Sequence, residues 1–384
     1  MTDRASLALL EQLHSNKLSL TPNDKILLIA DENTHSAITS LYIDHKLYSQ
    51  YNHLTLLSNR YDVAEQLQSI QKPKNTQKQE IFSDFDLSDY TQHSLSAIFY
   101  RISKEKPVVH HIINQAKQKL KTGGILIFCG YKSEGTKTYF NKAKRYLGGD
   151  AKLKKDGDTY TATLVNNTGN NTSCNINCNI SNSATPTAAL DDKNYTQLRT
   201  TVNINDKMVM SKPGLFGWNK IDRGSELLIS QLPLALDLNL KKPTRMLDLG
   251  CGYGYLTLAS AKQNFNYRCA TDNNAAAITA AKANFKNHQL EVTTLAADCG
   301  QGINETFDLI LCNPPFHQGF SVDGDLTDKF LQQTHNLLSA SGWALFVVNQ
   351  FVPLEQKAEK LSFSSKCWLN NGQFKVIQLF KESL

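Results

Sequence analysis

Short apolar runs alternate with amphipathic stretches along most of the chain. In the N-terminal half the runs typical of buried strands are residues 25–30 (KILLIA), 53–57 (HLTLL), 95–100 (LSAIFY) and 124–129 (GILIFC). Between the last two runs, apolar residues recur at helical spacing over 107–121. Pro107 suits the start of a helix, and Gly123-Gly124 suits its end. This alternation predicts a parallel sheet with helices on its faces.

The same alternation returns in the C-terminal half. Hairpins are predicted at 198–210, with Asn205-Asp206 in the turn, and at 365–380, around Asn370-Asn371-Gly372. The predicted strands are 245–249, 267–271, 291–295, 307–312 and 343–348, and the predicted helices are 255–263, 274–287 and 325–338. The pattern suggests an internal duplication, although we find no sequence identity between the halves that would prove it.

An asparagine-rich segment separates the two halves. Eight of the 22 residues in 166–187 are Asn, and only Ile176 and Ile180 are large and apolar. Such a segment buries too little apolar surface to offset its ordering entropy, which predicts a linker or long loop. We therefore predict a first domain at 1–165, a linker at 166–190 and a second domain at 191–384.

The composition is that of a globular protein: 384 residues, of which 41% are hydrophobic and 20% charged. No apolar run approaches the ~20 residues of a membrane-spanning helix, and the N-terminus does not read as a signal peptide. The eight cysteines follow neither a disulfide framework nor a metal-site spacing. We expect a cytoplasmic protein with no metal and no membrane association.

Positive charge is concentrated in the N-terminal half. The formal net charge is +6, and residues 101–155 hold 14 Lys and Arg against three acids, a local excess of +11. By contrast, residues 212–384 hold 16 basic and 15 acidic residues. A polyanion such as RNA is the partner that this distribution favours, and a solvated basic surface without a ligand is the alternative.

A glycine-rich turn follows the strand at 245–249. Gly250, Gly252 and Gly254 are spaced G-x-G-x-G, whereas a dinucleotide fingerprint requires a third glycine at the position of Tyr255. Asp248 precedes the turn, where a carboxylate would repel a pyrophosphate but suit a cationic ligand. S-adenosylmethionine has an amino group, a sulfonium and no phosphate, so it fits both observations.

Two further acids end the next strands. Asp272 closes the strand at 267–271 and could accept hydrogen bonds from both hydroxyls of a ribose. Asp298, followed by Cys299, ends the third strand-like run, where an adenine would lie. The alternative is that these acids only cap strand ends. Their recurrence at successive ends of one parallel sheet favours a cofactor site.

The strand at 307–312 ends in Asn313-Pro314-Pro315-Phe316. Neither proline has an N–H, so the strand stops there. The Asn313 side-chain oxygen and the Pro314 carbonyl could hold the two hydrogens of a planar amine and direct its lone pair at a sulfonium methyl group. Phe316 could stack on the base that carries the amine. The segment is therefore predicted to be catalytic.

The C-terminal half resembles the class I S-adenosylmethionine-dependent methyltransferases with an N-P-P-[FY] motif, and several segments resemble the family of ribosomal RNA small subunit methyltransferase C. These segments are 212–216 (KPGLF), 221–225 (IDRGS), 248–254 (DLGCGYG), 313–317 (NPPFH) and 372–376 (GQFKV). The resemblance implies methylation of guanine N2 in 16S rRNA by a protein with two tandem Rossmann-like domains, of which only the second keeps its cofactor site.

Positions within this fold suggest the remaining roles. Asp222, Gly224 and Ser225 precede the first core strand of the second half and are predicted to close one side of the cofactor site, together with Asn313. The first half has no glycine-rich turn after its first strand and reads Arg101-Ile102-Ser103-Lys104 after 95–100. It is therefore predicted to be a degenerate methyltransferase-like domain that docks RNA.

The predicted partner is 16S rRNA or the small ribosomal subunit, bound by a monomer. Other substrates stay open: guanine N2 in 23S rRNA, adenine N6 in DNA, or a release-factor glutamine. An RNA-binding assembly factor with a vestigial cofactor site is an alternative of a different class. A nicotinamide-dependent dehydrogenase is disfavoured by Tyr255.

Overall fold

The structure is a computed structural model, and it comprises two compact units, Met1–Thr196 and Gln197–Leu384. The residues that it describes are 3–15, 18–34, 37, 50–68, 79–167, 188–204, 206–239, 241–315 and 322–381. Most of the asparagine-rich segment, residues 168–187, lies outside these ranges, as does Asn205. None of the described helices is long and apolar enough to cross a membrane.

The first unit alternates strands with helices, as predicted. Its described strands are β1 (Lys25–Ala30), β2 (His53–Ser58), β3 (Gln79–Phe82), β4 (Leu95–Arg101), β5 (Leu120–Tyr131), β6 (Gly148–Asp156) and β7 (Thr159–Asn166). Its described helices are α1 (Arg4–His14), α2 (Tyr61–Gln68), α3 (Lys106–Lys119) and α4 (Thr136–Leu147). The four apolar runs identified in the sequence form β1, β2, β4 and β5, and the predicted helix is α3.

The second unit opens with the predicted hairpin. It consists of β8 (Arg199–Ile204) and β9 (Lys207–Ser211), and Asp206 in the turn has a positive φ of 62°. The sheet strands are β10 (Arg245–Leu249), β11 (Tyr267–Asp272), β12 (Thr293–Ala296), β13 (Phe307–Cys312), β14 (Leu338–Asn349), β15 (Phe363–Asn370) and β16 (Phe374–Lys381). The helices are α5 (Arg223–Leu238), α6 (Tyr255–Ala259), α7 (Ala275–Asn287), α8 (Val322–Leu337) and α9 (Leu354–Glu359).

Both sheets have the same strand order. The first is β3-β2-β1-β4-β5-β7-β6 and the second is β12-β11-β10-β13-β14-β16-β15. In each, the first five strands are parallel, the sixth pairs antiparallel with the fifth, and the seventh pairs antiparallel with the sixth. The predicted α/β class with two Rossmann-like domains is confirmed.

Alternation along the strands divides each core between the two faces of its sheet. In β1, Leu27 and Ile29 pack into one apolar cluster, whereas Ile26 and Leu28 pack into the other. Because both faces are covered, these strands read as continuous apolar runs in the sequence. This double burial explains why the central strands were predicted almost to the residue.

Helix α6 is shorter than predicted. It ends at Ala259 rather than at 263, and the chain then turns toward β11. Arg268 of β11 donates to the carbonyl oxygens of Gln263 (2.7 Å) and Phe265 (3.0 Å). A tertiary contact therefore secures the non-helical segment, and the local pattern did not reveal it.

Residues after the asparagine-rich segment are bound to the first unit. The backbone N–H of Leu190 donates to Asn114 of α3 at 2.9 Å, and the Asn114 amide donates back to the Leu190 carbonyl at 2.8 Å. Tyr195 is buried and donates its hydroxyl hydrogen to Asp84 at 2.6 Å. By packing, the second unit starts at Gln197, six residues after the start proposed from the sequence for an independent domain.

The first helices of the two units begin in the same way. Asp3-Arg4-Ala5-Ser6 precedes and opens α1, and Asp222-Arg223-Gly224-Ser225 precedes and opens α5. In both, the aspartate is the N-cap and accepts a hydrogen bond from the serine N–H, at 2.7 Å and 2.9 Å. With the shared strand order, this repeated segment supports an internal duplication, and it is the identity that sequence inspection missed.

Candidate active site

The strand order of the second unit reverses between β10 and β13. Open α/β sheets bind ligands outside the carboxyl ends of the strands at such a reversal. The register pairs Asp248 with Leu311, so Leu249 and Cys312 end β10 and β13 at the same level. The glycine-rich turn and Asn313 therefore flank the point of reversal.

The glycine-rich turn is held against β11. The N–H groups of Gly250 and Cys251 both donate to the Thr271 carbonyl, at 2.9 and 2.8 Å. The three glycines have positive φ values of 81°, 55° and 93°, which side chains strongly disfavour. A Cβ on Gly254 would lie 2.6 Å from the Phe285 ring, whereas one on Gly252 would meet nothing within 4 Å. The turn thus has a packed side and an open side.

Asp272 lies at the carboxyl end of β11. It accepts hydrogen bonds from the N–H groups of Gly252 (2.9 Å) and Asn274 (2.8 Å). These bonds fix its carboxylate beside the open side of the turn. A carboxylate oxygen accepts more than one hydrogen bond, so this arrangement is compatible with the predicted contact to a ribose.

Asp248 lies beneath the turn and is fully buried. Thr257 of α6 donates to its Oδ2 through the N–H (3.0 Å) and through the hydroxyl (2.7 Å), whereas no described residue is hydrogen-bonded to Oδ1. The pKa of Asp248 is raised to about 7. Burial is the main cause, the two hydrogen bonds from Thr257 oppose it, and the nearby charge of Asp272 adds to it. The structure therefore gives Asp248 a role in joining β10 to α6, while its predicted contact with a cofactor amino group remains a prediction.

Asp298 and Cys299 lie beyond β12 and are both buried. Asp298 is ion-paired with Lys329 of α8, and Cys299 has a positive φ of 51°. Their position at the same sheet edge is compatible with a place beside an adenine. That role remains a prediction.

Asn313 is joined to the start of α5. Its Nδ2 donates to Asp222 Oδ2 and to Ser225 Oγ, each at 2.8 Å. Both amide hydrogens are thereby used, and Oδ1 is left as an acceptor at the sheet edge. Pro314 is buried and Pro315 is exposed, whereas Phe316 lies outside the described residues.

Gly224 permits the close docking of this helix start. A Cβ there would lie 3.0 Å from Asp222 Oδ2 and 3.4 Å from both Val347 of β14 and Phe374 of β16. Any side chain would press on the carboxylate that holds Asn313. The structure thus brings Asp222, Gly224 and Ser225 to Asn313, and their predicted contact with a cofactor remains a prediction.

Two residues that sequence reasoning missed hold the site together. One is Thr257, the partner of Asp248. The other is Asn284 of α7, which is fully buried and donates to the carbonyls of Met210 (2.8 Å) and Tyr253 (2.9 Å). Asn284 interrupts the apolar face of an alanine-rich helix, and that polar residue at a core position was the available signal.

Covalent and metal chemistry find no support in the described geometry. Burial raises the pKa of the Cys251 and Cys312 thiols well above the usual range, so neither is a ready nucleophile. Across the described ranges, no group of three His, Cys, Asp or Glu side chains is placed to hold a metal ion.

At the corresponding edge of the first unit, the described side chains bond to one another and to the backbone. Arg101 ends β4 with 1% of its surface exposed and pairs with Asp3 at 2.8 Å and Glu134 at 2.7 Å. After β1, Asp31 accepts from the N–H of Asn33 at 3.0 Å, and Thr34 donates to the Asp31 carbonyl at 2.7 Å. Among the described residues, Asp31 and Arg101 are thus bonded to neighbouring protein groups at the ends of β1 and β4, which is compatible with a degenerate first domain.

Comparison with known proteins matches residues 206–378 to the family model of the methyltransferase small domain. Ribosomal RNA small subunit methyltransferase C of Photorhabdus laumondii is 33% identical over 180 residues, which cover 47% of this chain and 52% of that protein. Its counterpart in Proteus mirabilis is 28% identical over 264 residues, or 68% and 70% of the two chains. The matched part thus spans about half of the first relative.

A solved structure is similar over both units. The 16S rRNA N2 G1207 methyltransferase of T. thermophilus, in complex with AdoMet and guanosine, superimposes with a TM-score of 0.75. The identity is 20%, and the match covers 99% of this chain and 93% of that one.

Strand order and glycine-rich turn define the class: the protein has the class I methyltransferase fold, present twice. Its sequence is similar to that of ribosomal RNA small subunit methyltransferase C over about half of the chain.

Proposed function

We propose that this protein transfers a methyl group from S-adenosylmethionine to the exocyclic N2 amine of a guanine in 16S rRNA. The observation that carries the proposal is the Asn313 amide, whose NH₂ is bound by Asp222 and Ser225 while its oxygen is left as an acceptor beside the glycine-rich turn. The named activities of similar proteins support the same assignment.

The residues around the turn fit the cofactor. The open side of Gly252 gives room for the methionine part, and the fixed carboxylate of Asp272 is suited to the ribose hydroxyls. Asp298 and Cys299 would lie by the adenine. When bound, S-adenosylmethionine supplies an electrophilic methyl group on a sulfonium.

The chain positions the amine for attack on that methyl group. Asn313 Oδ1 and the Pro314 carbonyl would accept the two N2 hydrogens, which turns the nitrogen lone pair toward the cofactor. The bound cofactor would supply its methyl group to N2 as the C–S bond breaks, and the methylated amine would lose one proton to water. Phe316 would stack on the guanine. No side chain needs to act as a covalent nucleophile.

The first unit would dock the RNA. Of its basic stretch, Arg101 and Lys119 are buried, whereas α4 and the adjacent edge strand β6 carry a set of exposed cations. This basic patch consists of Lys144, Arg145, Lys152, Lys154 and Lys155. Such a patch suits the phosphate backbone of a large RNA. We propose that the protein acts as a monomer in the cytoplasm on 16S rRNA or the small subunit.

The test is methyl transfer from labelled S-adenosylmethionine, measured in parallel on unmodified small subunits, large subunits, naked rRNA and DNA. Digestion to nucleosides then identifies the product. Label in N2-methylguanosine from 16S rRNA is the expected result. Label only in large-subunit RNA or in DNA would refute the substrate, and measurable cofactor binding without transfer to any acceptor would refute the activity.

A further inference from the structure

We propose that Asp222 and Ser225 are positioning residues that set which end of the Asn313 side-chain amide faces the substrate. The inference rests on the proposed function, because it concerns the residue that would hold the guanine amine. It differs from the cofactor contact that the sequence suggested for these two residues.

An asparagine side-chain amide can be placed in either of two orientations. Its oxygen and NH₂ ends are similar in size, so shape alone fits the amide equally well in two orientations. In one orientation the amide oxygen faces a substrate amine and can accept its hydrogen bond. In the other orientation the amide NH₂ faces the amine, so that two donors meet. Something next to Asn313 must therefore select the orientation.

Asp222 makes that selection by its chemistry. An ionised carboxylate only accepts hydrogen bonds, and Asp222 Oδ2 lies 2.8 Å from Asn313 Nδ2. Turning the amide over would bring its oxygen against the carboxylate. Ser225 Oγ lies 2.8 Å from the same nitrogen and accepts the second hydrogen. The two contacts together direct Oδ1 away from α5.

The carboxylate is itself fixed in place. Asp222 Oδ2 accepts the Ser225 N–H at 2.9 Å as the N-cap of α5. Gly224 lets the helix start approach β14 and β16 closely, because a Cβ would come within 3.4 Å of both. The helix cap, the sheet and the Asn313 amide therefore form one rigid group.

The repeated segment in the first unit supports this assignment. Asp3 caps α1 through Ser6 as Asp222 caps α5 through Ser225, and its carboxylate also reaches the end of the fourth parallel strand, where it pairs with Arg101 at 2.8 Å. Both units thus aim a capping carboxylate at the same strand end. The partner is a guanidinium in the first unit and an amide in the second.

The experiment measures methyl transfer by Asp222→Ser and Ser225→Ala, alone and combined with Asn313→Ala. Serine is as good an N-cap as aspartate but is too short to reach Asn313, so the helix start is preserved. We expect the kcat of Asp222→Ser to fall about ten- to a hundredfold, which is the range for one hydrogen bond to a charged group. The cofactor Kd and the thermal midpoint should change little. Asp222→Asn, which still offers an acceptor oxygen, should recover part of the loss.

Coupling separates positioning from direct contact. Once Asn313 is alanine, Asp222→Ser should have no further effect on kcat, because the amide that it orients is gone. Additive losses would overturn the proposal, as would a raised cofactor Kd with unchanged kcat. Ser6→Ala, the matched change in the first unit, should leave kcat unaltered.

A second readout keeps this test separate from the proposed function. The side-chain NH₂ resonances of Asn313, assigned by their loss in Asn313→Ala, should shift and exchange faster with solvent in Asp222→Ser. Unchanged resonances would overturn the positioning role even in an active enzyme. A wild-type protein inactive on every acceptor would refute the proposed function, and the resonances would still decide the orientation of the amide.

Discussion

The two units have the same sheet and the same helix cap, yet the edges that the caps face differ. In the second unit the carboxylate of Asp222 meets an amide, and the edge beside it is open above Gly252. In the first unit the carboxylate of Asp3 meets Arg101, which is buried between two acids. One framework therefore carries the candidate site in the second unit and a structural ion cluster in the first.

The comparison shows that the same fold can carry a buried ion cluster at the strand end where the other unit carries its candidate site. A buried arginine needs two carboxylates to offset its desolvation, and Asp3 and Glu134 provide them. Their pairing raises the pKa of Arg101 and lowers that of Asp3, despite the opposing effect of burial. Arg101 is buried in the first unit, whereas Asn313 at the matching strand end of the second unit is half-buried.

The largest effect on stability is expected from removing the positive charge of Arg101 at the end of β4. Arg101→Met leaves Asp3 and Glu134 buried without a cation, which should lower the free energy of unfolding by about 3–5 kcal/mol. Denaturant unfolding measures this loss. Lys121→Met is the control, since it breaks an exposed pair with Asp24 and should change stability by less than about 1 kcal/mol. Equal effects of the two variants would contradict a structural role for Arg101.

A change at the open edge should affect turnover instead of stability. Asn313→Ala should lower kcat by about a hundred- to a thousandfold, the range for loss of a preorganised polar group at the reacting atoms. The cofactor Kd should stay within about twofold, because the turn and Asp272 are untouched. Calorimetry of cofactor binding checks this point. If binding collapsed together with turnover, the role assigned to Asn313 would be wrong.

Charge reversal in the basic patch separates docking from chemistry. Lys144→Glu with Arg145→Glu should weaken RNA binding about tenfold or more at low salt and flatten the dependence of log K on log salt. The matched control is Lys282→Glu with Lys286→Glu, an exposed pair on α7 of the second unit. A salt slope that changes equally in both variants, or in neither, would remove α4 from the RNA footprint.

The last prediction concerns the pH dependence of stability. The pKa of Asp248 is raised to about 7 in the folded protein, above the ordinary value near 4, so the folded state holds a proton that the unfolded state releases. Between about pH 4 and 7 its contribution to stability therefore falls as pH rises, by on the order of 1 kcal/mol per unit. Asp248→Asn should reduce that slope in urea unfolding measured from pH 4 to 8. The pKa of Asp31 is also raised to about 7, by burial and by Glu32, so the variant should keep the slope that Asp31 contributes. An unchanged slope would mean that Asp248 titrates in its ordinary range.

Sequence reasoning found the parts of the site that lie next to buried strands. Asn313 follows the apolar run 309–312, and Asp272 follows the predicted strand 267–271; an abrupt polar or proline residue after a strand is a local signal. Residues that act across the sheet gave weaker signals. Thr257 and Asn284 resemble ordinary helix residues until the chain is folded.

The link between Asp222 and Asn313 could not be read from the sequence, because 91 residues separate two groups that bond at 2.8 Å. Arg101 posed the same difficulty. Arg101 ends β4, the position after which the second unit has its Asn313 segment. Its partners, Asp3 and Glu134, lie 98 and 33 residues away in the sequence. The Asp-Arg-x-Ser segment occurs in both halves of the sequence. Only the structure shows that its aspartate is a helix N-cap in both units.

The most direct test of this comparison is the stoichiometry of S-adenosylmethionine binding, measured by titration calorimetry on the full chain. We expect one S-adenosylmethionine site per chain. Binding should be lost in Asp272→Ala and kept in Asp31→Asn. Two sites per chain, or a single site that survives Asp272→Ala and disappears in Asp31→Asn, would contradict the assignment of the cofactor to the second unit alone.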